Sequence, residues 1–269
     1  LPAKDQPLMQ CLPASGNIKN NNMSGHSKWS TIKRKKGAAD AKKSKIFSRF
    51  SKEIQIAVKE GGPDPDANPR LRLVIANAKG VNMPKDNIER VINKASRENA
   101  DLHEVNFEGY APHGIALFIE CLTDNNNRTV SNVRAIFNRR GGNLATSGSV
   151  GFMFERKGVI TVTDEGLSQE EFELEMIDAG AENIEDEDGR FIITVSMEDF
   201  GSVRKKLEEM EIEPENAELQ RIPTDTKKLS KEDAIKVLRI IEEFEDDDDV
   251  QNVFHNLEVT DEILATLDA

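Results

Sequence analysis

The sequence predicts an α+β chain: an N-terminal three-helix domain followed by two ferredoxin-like α/β domains, one inserted in the other. Three observations predict it. Apolar residues recur at helical spacing as far as Arg97 and at a spacing of two after it. Lys157 to Ile222 spells out a full β-α-β-β-α-β unit, and its flanks supply β-α-β-β before it and α-β after it. A length of 269 residues suits two or three domains.

Residues 1–22 have no apolar period, contain Pro2, Pro7 and Pro13 and end in an asparagine run, so they are expected to be a disordered leader or a cloning remnant, with Met23 the natural start. The competing possibility is a targeting extension, although the segment has neither a secretory core nor an arginine-rich amphipathic pattern. Residues 23–100 form the basic arm and helical domain. In it Ile46, Phe50, Ile54 and Ala57 recur along a helix that Gly61-Gly62-Pro63 stops. Asn68-Pro69 starts a second helix that ends at Gly80, and Asn82-Met83-Pro84 precedes a third with Ile88, Val91 and Ile92 on one face.

Residues 101–156 and 223–269 are expected to make the split domain. Its elements are a strand at Ile115–Leu122, a helix at Arg128–Arg139 and a hairpin of Leu144–Ala145 with Val150–Phe154 across Gly148. A helix at Lys231–Phe244 and a strand at Val250–Val259 complete it. Residues 157–222 make the inserted domain, with strands at Gly158–Thr163, Glu182–Glu185, Arg190–Val195 and Ala217–Ile222 and helices at Gln169–Ala179 and Asp199–Met210.

Charge is segregated along the chain. Between Lys28 and Lys52 ten lysines and arginines face a single acid, Asp40, whereas from Asp164 onward 34 acids face 10 cations. The net charge of −13 conceals both. A cationic head on an acidic body suits a polyanion at one end only, because charge acts over about a Debye length. Lys33, Arg34, Lys35 and Lys36, followed by Lys42, Lys43 and Lys45, can neutralise several phosphates. Trp29 is placed to stack on a base, with His26 and Lys28 beside it. Lys42, Lys45, Arg49 and Lys52 form one helical stripe, which Arg70 and Arg72 extend. The competing readings are a merely solvated basic face, or a nuclear import signal in a eukaryote; an ordinary soluble helix would intersperse acids more freely than this stretch does.

Other chemistries find little support. The four histidines stand at no metal-ligand spacing, and Cys11 and Cys121 lie far apart, which argues against a thiolate zinc site and fits a reducing compartment. Gly141 to Gly148 lacks the lysine of a phosphate loop, and Ser149 does not match a nucleophile elbow. The acid run Glu242–Asp249 lacks the glycine and closing glutamate of a calcium loop and reads as the polar end of the last helix, in a body that repels nucleic acid and so orients docking. No catalytic constellation, cofactor, metal site or small-molecule substrate is expected. The longest apolar run, Ile115–Leu122, is strand-sized, so no membrane partner is expected either.

Several segments resemble the YebC family, whose mitochondrial members include the translational activator of cytochrome c oxidase. They are Gly25-His26-Ser27-Lys28-Trp29, Ile32 to Lys36, Lys45-Ile46-Phe47, Asn68 to Arg72, Asn82-Met83-Pro84, Thr123 to Thr129, Gly148-Ser149-Val150 and Asp248 to Val253. The resemblance runs from Met23 nearly to Ala269 with the segments in family order. It implies a three-domain, non-enzymatic, cytoplasmic protein of a family described as probable DNA-binding transcriptional regulators, some members of which act in translation on ribosomes stalled at proline-rich stretches. One departure stands out. Where many members carry Gly-Tyr-Gly-Pro-Gly-Gly, this chain has Gly109-Tyr110-Ala111-Pro112-His113-Gly114, so a positive φ at Ala111 or His113 would be strained.

Two functions of different classes follow. One is a nucleic-acid-binding regulator of gene expression whose partner is DNA or ribosomal RNA. A ribosome-associated translation factor is favoured, because the arm shows no recognition helix for a DNA groove. The other is a protein-interaction adaptor that uses the acidic C-terminal domains.

Overall fold

The computed structural model describes residues 40–97, 101–164, 166, 168–187, 189–260, 262, 263 and 265, and side chains from residue 43 onward. The head is three helices, α1 (Asp40–Gly61), α2 (Pro69–Gly80) and α3 (Lys85–Arg97). The Asn68 amide welds the first two. Its oxygen accepts from the Leu71 N–H at 3.0 Å, capping α2, while its nitrogen donates to the carbonyls of Ala57 and Gly62 at 2.7 and 2.9 Å. Ile54, Ala57, Leu71, Val74 and Ile88 fill the space between the helices.

The first sheet contains β1 (His103–Ala111), β2 (Ile115–Thr123), β3 (Asn143–Leu144) and β8 (Val250–His255), all antiparallel in the order β3-β1-β2-β8. One face packs on α4 (Asn126–Arg139) and α7 (Lys231–Glu245), with Phe137 and Phe244 ring centroids 4.8 Å apart at the seam. The second sheet lies between β3 and β8 in sequence. It holds β4 (Phe154–Thr163), β5 (Ala181–Asp186), β6 (Arg190–Val195) and β7 (Asn216–Pro223), in the ferredoxin-like order β5-β6-β4-β7. Its helices are α5 (Gln169–Asp178) and α6 (Phe200–Glu209), which bury Phe172, Met176, Val203 and Leu207 against it. Gly158 is required here, because a Cβ at that position would stand 2.2 Å from the Phe200 ring. The chain is therefore the expected α+β assembly of a helical region followed by two four-stranded sheets.

Three local expectations change. β1 is a full strand that the period does not announce. Val105, Phe107 and Ala111 alternate toward the core, but Glu104, Asn106 and Glu108 lie between them and dilute the apolar signal. It makes the hairpin β1–β2 the centre of the first sheet. The expected hairpin of Leu144–Ala145 with Val150–Phe154 does not form. Leu144 pairs with Gly109 of β1, Gly151–Met153 is a 3₁₀ turn, and Phe154 opens β4. The cause is Glu108. Its buried carboxylate accepts from the N–H groups of Gly148, Val150 and Gly151 at 2.8, 2.7 and 2.8 Å, occupying donors that a strand partner would need. Burial opposes its charge, yet these donors and the Arg221 charge hold the Glu108 carboxyl below its ordinary range. The third change concerns the loop between β1 and β2. Ala111 has an ordinary φ of −74°, so strain falls on His113 alone, at φ 64°. The Lys227 ammonium donates to the His113 carbonyl at 2.6 Å and helps to hold it there.

The head touches both sheets. Asn77 of α2 pairs its side-chain amide with both backbone groups of Ala217, at 2.8 and 3.0 Å, closing the free edge of β7. Ile56 of α1 meets Leu102 and Leu122 beside the first sheet. The sheets are joined by Arg221 of β7, which stacks 3.8 Å from the Phe118 ring centroid and donates to Glu120 at 3.0 Å.

Candidate nucleic-acid interface

The helix α1 has two working faces. Phe50, Ile54, Ala57 and Val58 turn toward α2 and α3. Lys45, Arg49, Lys52 and Ile56 follow the spacing of the opposite stripe, and the packing of Ile56 directs that stripe at the first sheet. The turn it meets is the end of α7 and the acids after it. The Lys45 ammonium donates to the carbonyl of Asp246 and pairs with its carboxylate at 3.1 Å. Arg49 donates to the Glu245 carbonyl at 2.9 Å. Lys52 donates to the carbonyls of Asp248 and Leu122 at 2.8 and 3.1 Å and to the Asp249 carboxylate at 2.9 Å. Cations thus stand where the C-terminal carbonyls of a helix leave partial negative charge.

Behind this contact lies a polar hub. The Asp249 carboxylate is 4% exposed and accepts from Arg128, Thr129 at 2.9 Å and Thr123 at 3.2 Å as well as from Lys52. Burial raises its pKa, but the Lys52, Arg128 and Thr129 donors outweigh burial and bring it down to about 2. Asn125 caps α4 by accepting from the Arg128 N–H at 3.1 Å, which aims Arg128 at the hub. Two of the motif segments, Thr123 to Thr129 and Asp248 to Val253, therefore converge on one carboxylate.

Of the residues singled out in the sequence, His26, Lys28, Trp29, Lys33, Arg34, Lys35 and Lys36 lie outside the described residues, as does the Lys42 side chain. Lys43 is exposed on α1. Lys45, Arg49 and Lys52 are gathered together, but onto the molecule's own acidic turn. Arg70 pairs with Glu60 and Glu104, and Arg72 donates to the carbonyls of Pro65 and Asp66 at 3.2 and 2.8 Å. The acid run Glu242–Asp249 is more than the polar end of a helix, since it is the counter-charge of the basic stripe. Its distance in sequence hides this, but two dense runs of opposite charge in one chain are a signal for it. Among the described residues no three His, Cys, Asp or Glu side chains converge as a metal site, and no helix is long and apolar enough to cross a membrane.

Fold and site together define a helical, basic head clasped to an acidic body of two antiparallel sheets. The chain belongs to the TACO1/YebC family. Residues 27–98 match the model of the TACO1/YebC N-terminal domain, and residues 102–257 match that of its second and third domains. It is 52% identical over 239 residues to a probable transcriptional regulatory protein of Amoebophilus asiaticus, covering 87% of this chain and 98% of that one. It is 49% identical over 245 residues to a probable transcriptional regulatory protein of Brachyspira hyodysenteriae, covering 90% and 99%. A crystal structure of a conserved hypothetical protein of Aquifex aeolicus, Aq1575, superposes with a TM-score of 0.76 at 42% identity, covering 84% of this chain and 94% of that one.

Proposed function

We propose that this chain is a non-enzymatic, nucleic-acid-binding regulator of gene expression that works in the cytoplasm. The observation that carries it is the ten-to-one excess of cations over acids between Lys28 and Lys52. Three of the ten, Lys45, Arg49 and Lys52, meet the acidic turn, and so dense a run of one sign in the other seven suits phosphates in a row. The relatives in Amoebophilus asiaticus and Brachyspira hyodysenteriae are described as probable transcriptional regulatory proteins, which agrees with this class. Within the class, physics favours RNA, and a ribosome-associated translation factor in particular. Phosphate contact from Lys33 to Lys36, Lys42, Lys43 and Lys45, with Trp29 stacking on an unpaired base and His26 and Lys28 nearby, suits an RNA-lined cleft better than a duplex groove. Arg49 on α1 and Arg70 and Arg72 in the first turn of α2 are further cations of the head.

A second reading, an adaptor that binds basic proteins through its acidic domains, gains support from the grip of Glu245–Asp249 on a basic helix. Salt titration separates the two. Replacing Lys33, Arg34, Lys35 and Lys36 with alanine is expected to flatten the slope of log affinity for RNA against log salt by about 3. An unchanged slope would remove the arm from the interface and favour the adaptor. Crosslinking in cells followed by sequencing then tells translation from transcription: ribosomal RNA supports the first, discrete promoter DNA the second.

A further inference from the structure

The clasp between α1 and the acidic turn is graded from one end to the other. At the inner end Lys52 and Asp249 are 19% and 4% exposed, and Asp249 is also held by Arg128 and two threonines. At the outer end Asp246 is 79% exposed, so its pair with Lys45 is solvated and weak. Arg49, between them, is poorly served. One terminal nitrogen donates to Glu245, while its buried Nε has no hydrogen-bond partner. A buried donor without an acceptor penalises the closed arrangement. The acceptors met by Lys45 and Arg49 are carbonyl and carboxylate oxygens at a negative helix end, the same kind of acceptor that a phosphate offers.

We propose that the Glu245–Asp248 turn is an internal stand-in for phosphate, which an RNA backbone displaces from Lys45 and Arg49 while Lys52 stays anchored on Asp249. A phosphate brings a full charge and can accept from two guanidinium nitrogens at once, so it satisfies the Arg49 Nε that the turn leaves idle. The acidic turn then raises the threshold for binding. A short or weakly charged ligand meets only the arm, whereas a continuous polyanion also recruits the stripe. Lys43, exposed on α1 two residues before Lys45, adds a cation on the arm side of the stripe in sequence.

The inference rests on the nucleic-acid reading above, and its test keeps the two apart. The full chain is titrated with a fluorescent single-stranded 20-mer RNA across a range of salt. No binding at low salt would overturn the nucleic-acid reading itself. If RNA binds, Lys45→Ala/Arg49→Ala is expected to reduce the salt slope by about 1.4, the share of two released contacts on a single strand. An unchanged slope means that both residues stay on the acidic turn, and the displacement is wrong. Asp246→Ala supplies a second arm that leaves the stripe intact. It is expected to tighten RNA several-fold more than Glu213→Ala, which removes an equal charge from an exposed site remote in sequence. Equal tightening by the two variants would reduce the turn to one acid among many and overturn the proposal.

Discussion

Arg128 clamps Asp249: its terminal nitrogen donates to both carboxylate oxygens, at 2.9 and 2.8 Å, and its Nε to one of them at 3.2 Å. Arg128 lies in the first turn of α4 and Asp249 directly precedes β8, so the pair pins the entry of a helix to the entry of a strand 121 residues further along the chain. Lys52 adds α1 to the same carboxylate. The hub is where head, sheet and acidic turn are held in one geometry.

Asp249→Ala is expected to lower stability by about 3 kcal/mol, because it strands Lys52 and two threonines in a site built around a charge. Urea denaturation of the full chain measures it. A loss below about 1 kcal/mol would show that water replaces the carboxylate without penalty.

The same carboxyl sets an acid limit. Its pKa falls from 3.8 in the ordinary state to about 2 in the fold. A depressed folded-state pKa stabilises above the unfolded value and ceases to do so as pH falls through the folded one. The stabilisation, about 2 kcal/mol, is therefore complete above pH 4 and lost between pH 4 and 2. The gap in urea midpoint between the wild type and Asp249→Asn is expected to narrow in that window and to stay constant from pH 5 to 8.

Glu53 acts in the opposite sense. Burial, then the charges of Glu218 and Glu120, push its carboxyl up from 4.5 to about 7, against the pull of Arg49 and Arg70. Ionising it costs stability progressively between pH 4.5 and 7. Glu53→Gln is expected to leave stability unchanged below pH 4.5 and to raise it by about 3 kcal/mol above pH 7. A variant less stable than the wild type at pH 8 would mean that the charged Glu53 is held by Arg49 and Arg70 after all.

Asn77→Ala leaves the N–H and C=O of Ala217 without their partner at the edge of the second sheet. The expected loss is about 2 kcal/mol. Hydrogen exchange is expected to quicken at the Ala217 amide and to stay slow at Ile193, whose strand lies inside the sheet. Equal quickening at both sites would point to global loosening rather than release of α2 from β7.

The head was open to a linear reading because its signals are local. Asn68-Pro69 and Gly61-Gly62 each act on residues within one turn, and the structure uses them as caps and stops. The ferredoxin-like unit announced itself by the alternation of its elements. β1 did not, because the polar residues on its second face find their partners elsewhere: Glu108 is satisfied by a loop about 40 residues away. The expected hairpin failed for the same reason, since a side chain had already taken its backbone donors.

The basic stripe follows the same division. Composition and helical spacing placed Lys45, Arg49 and Lys52 on one side of a helix, for those are properties of neighbours along the chain. Their partners stand some 200 residues away. Period, caps and charge density were settled by covalent order; the meeting of α1 with the acidic turn was settled by how three packed units lie against one another. Coulomb attraction depends on separation in space, which only the folded chain defines.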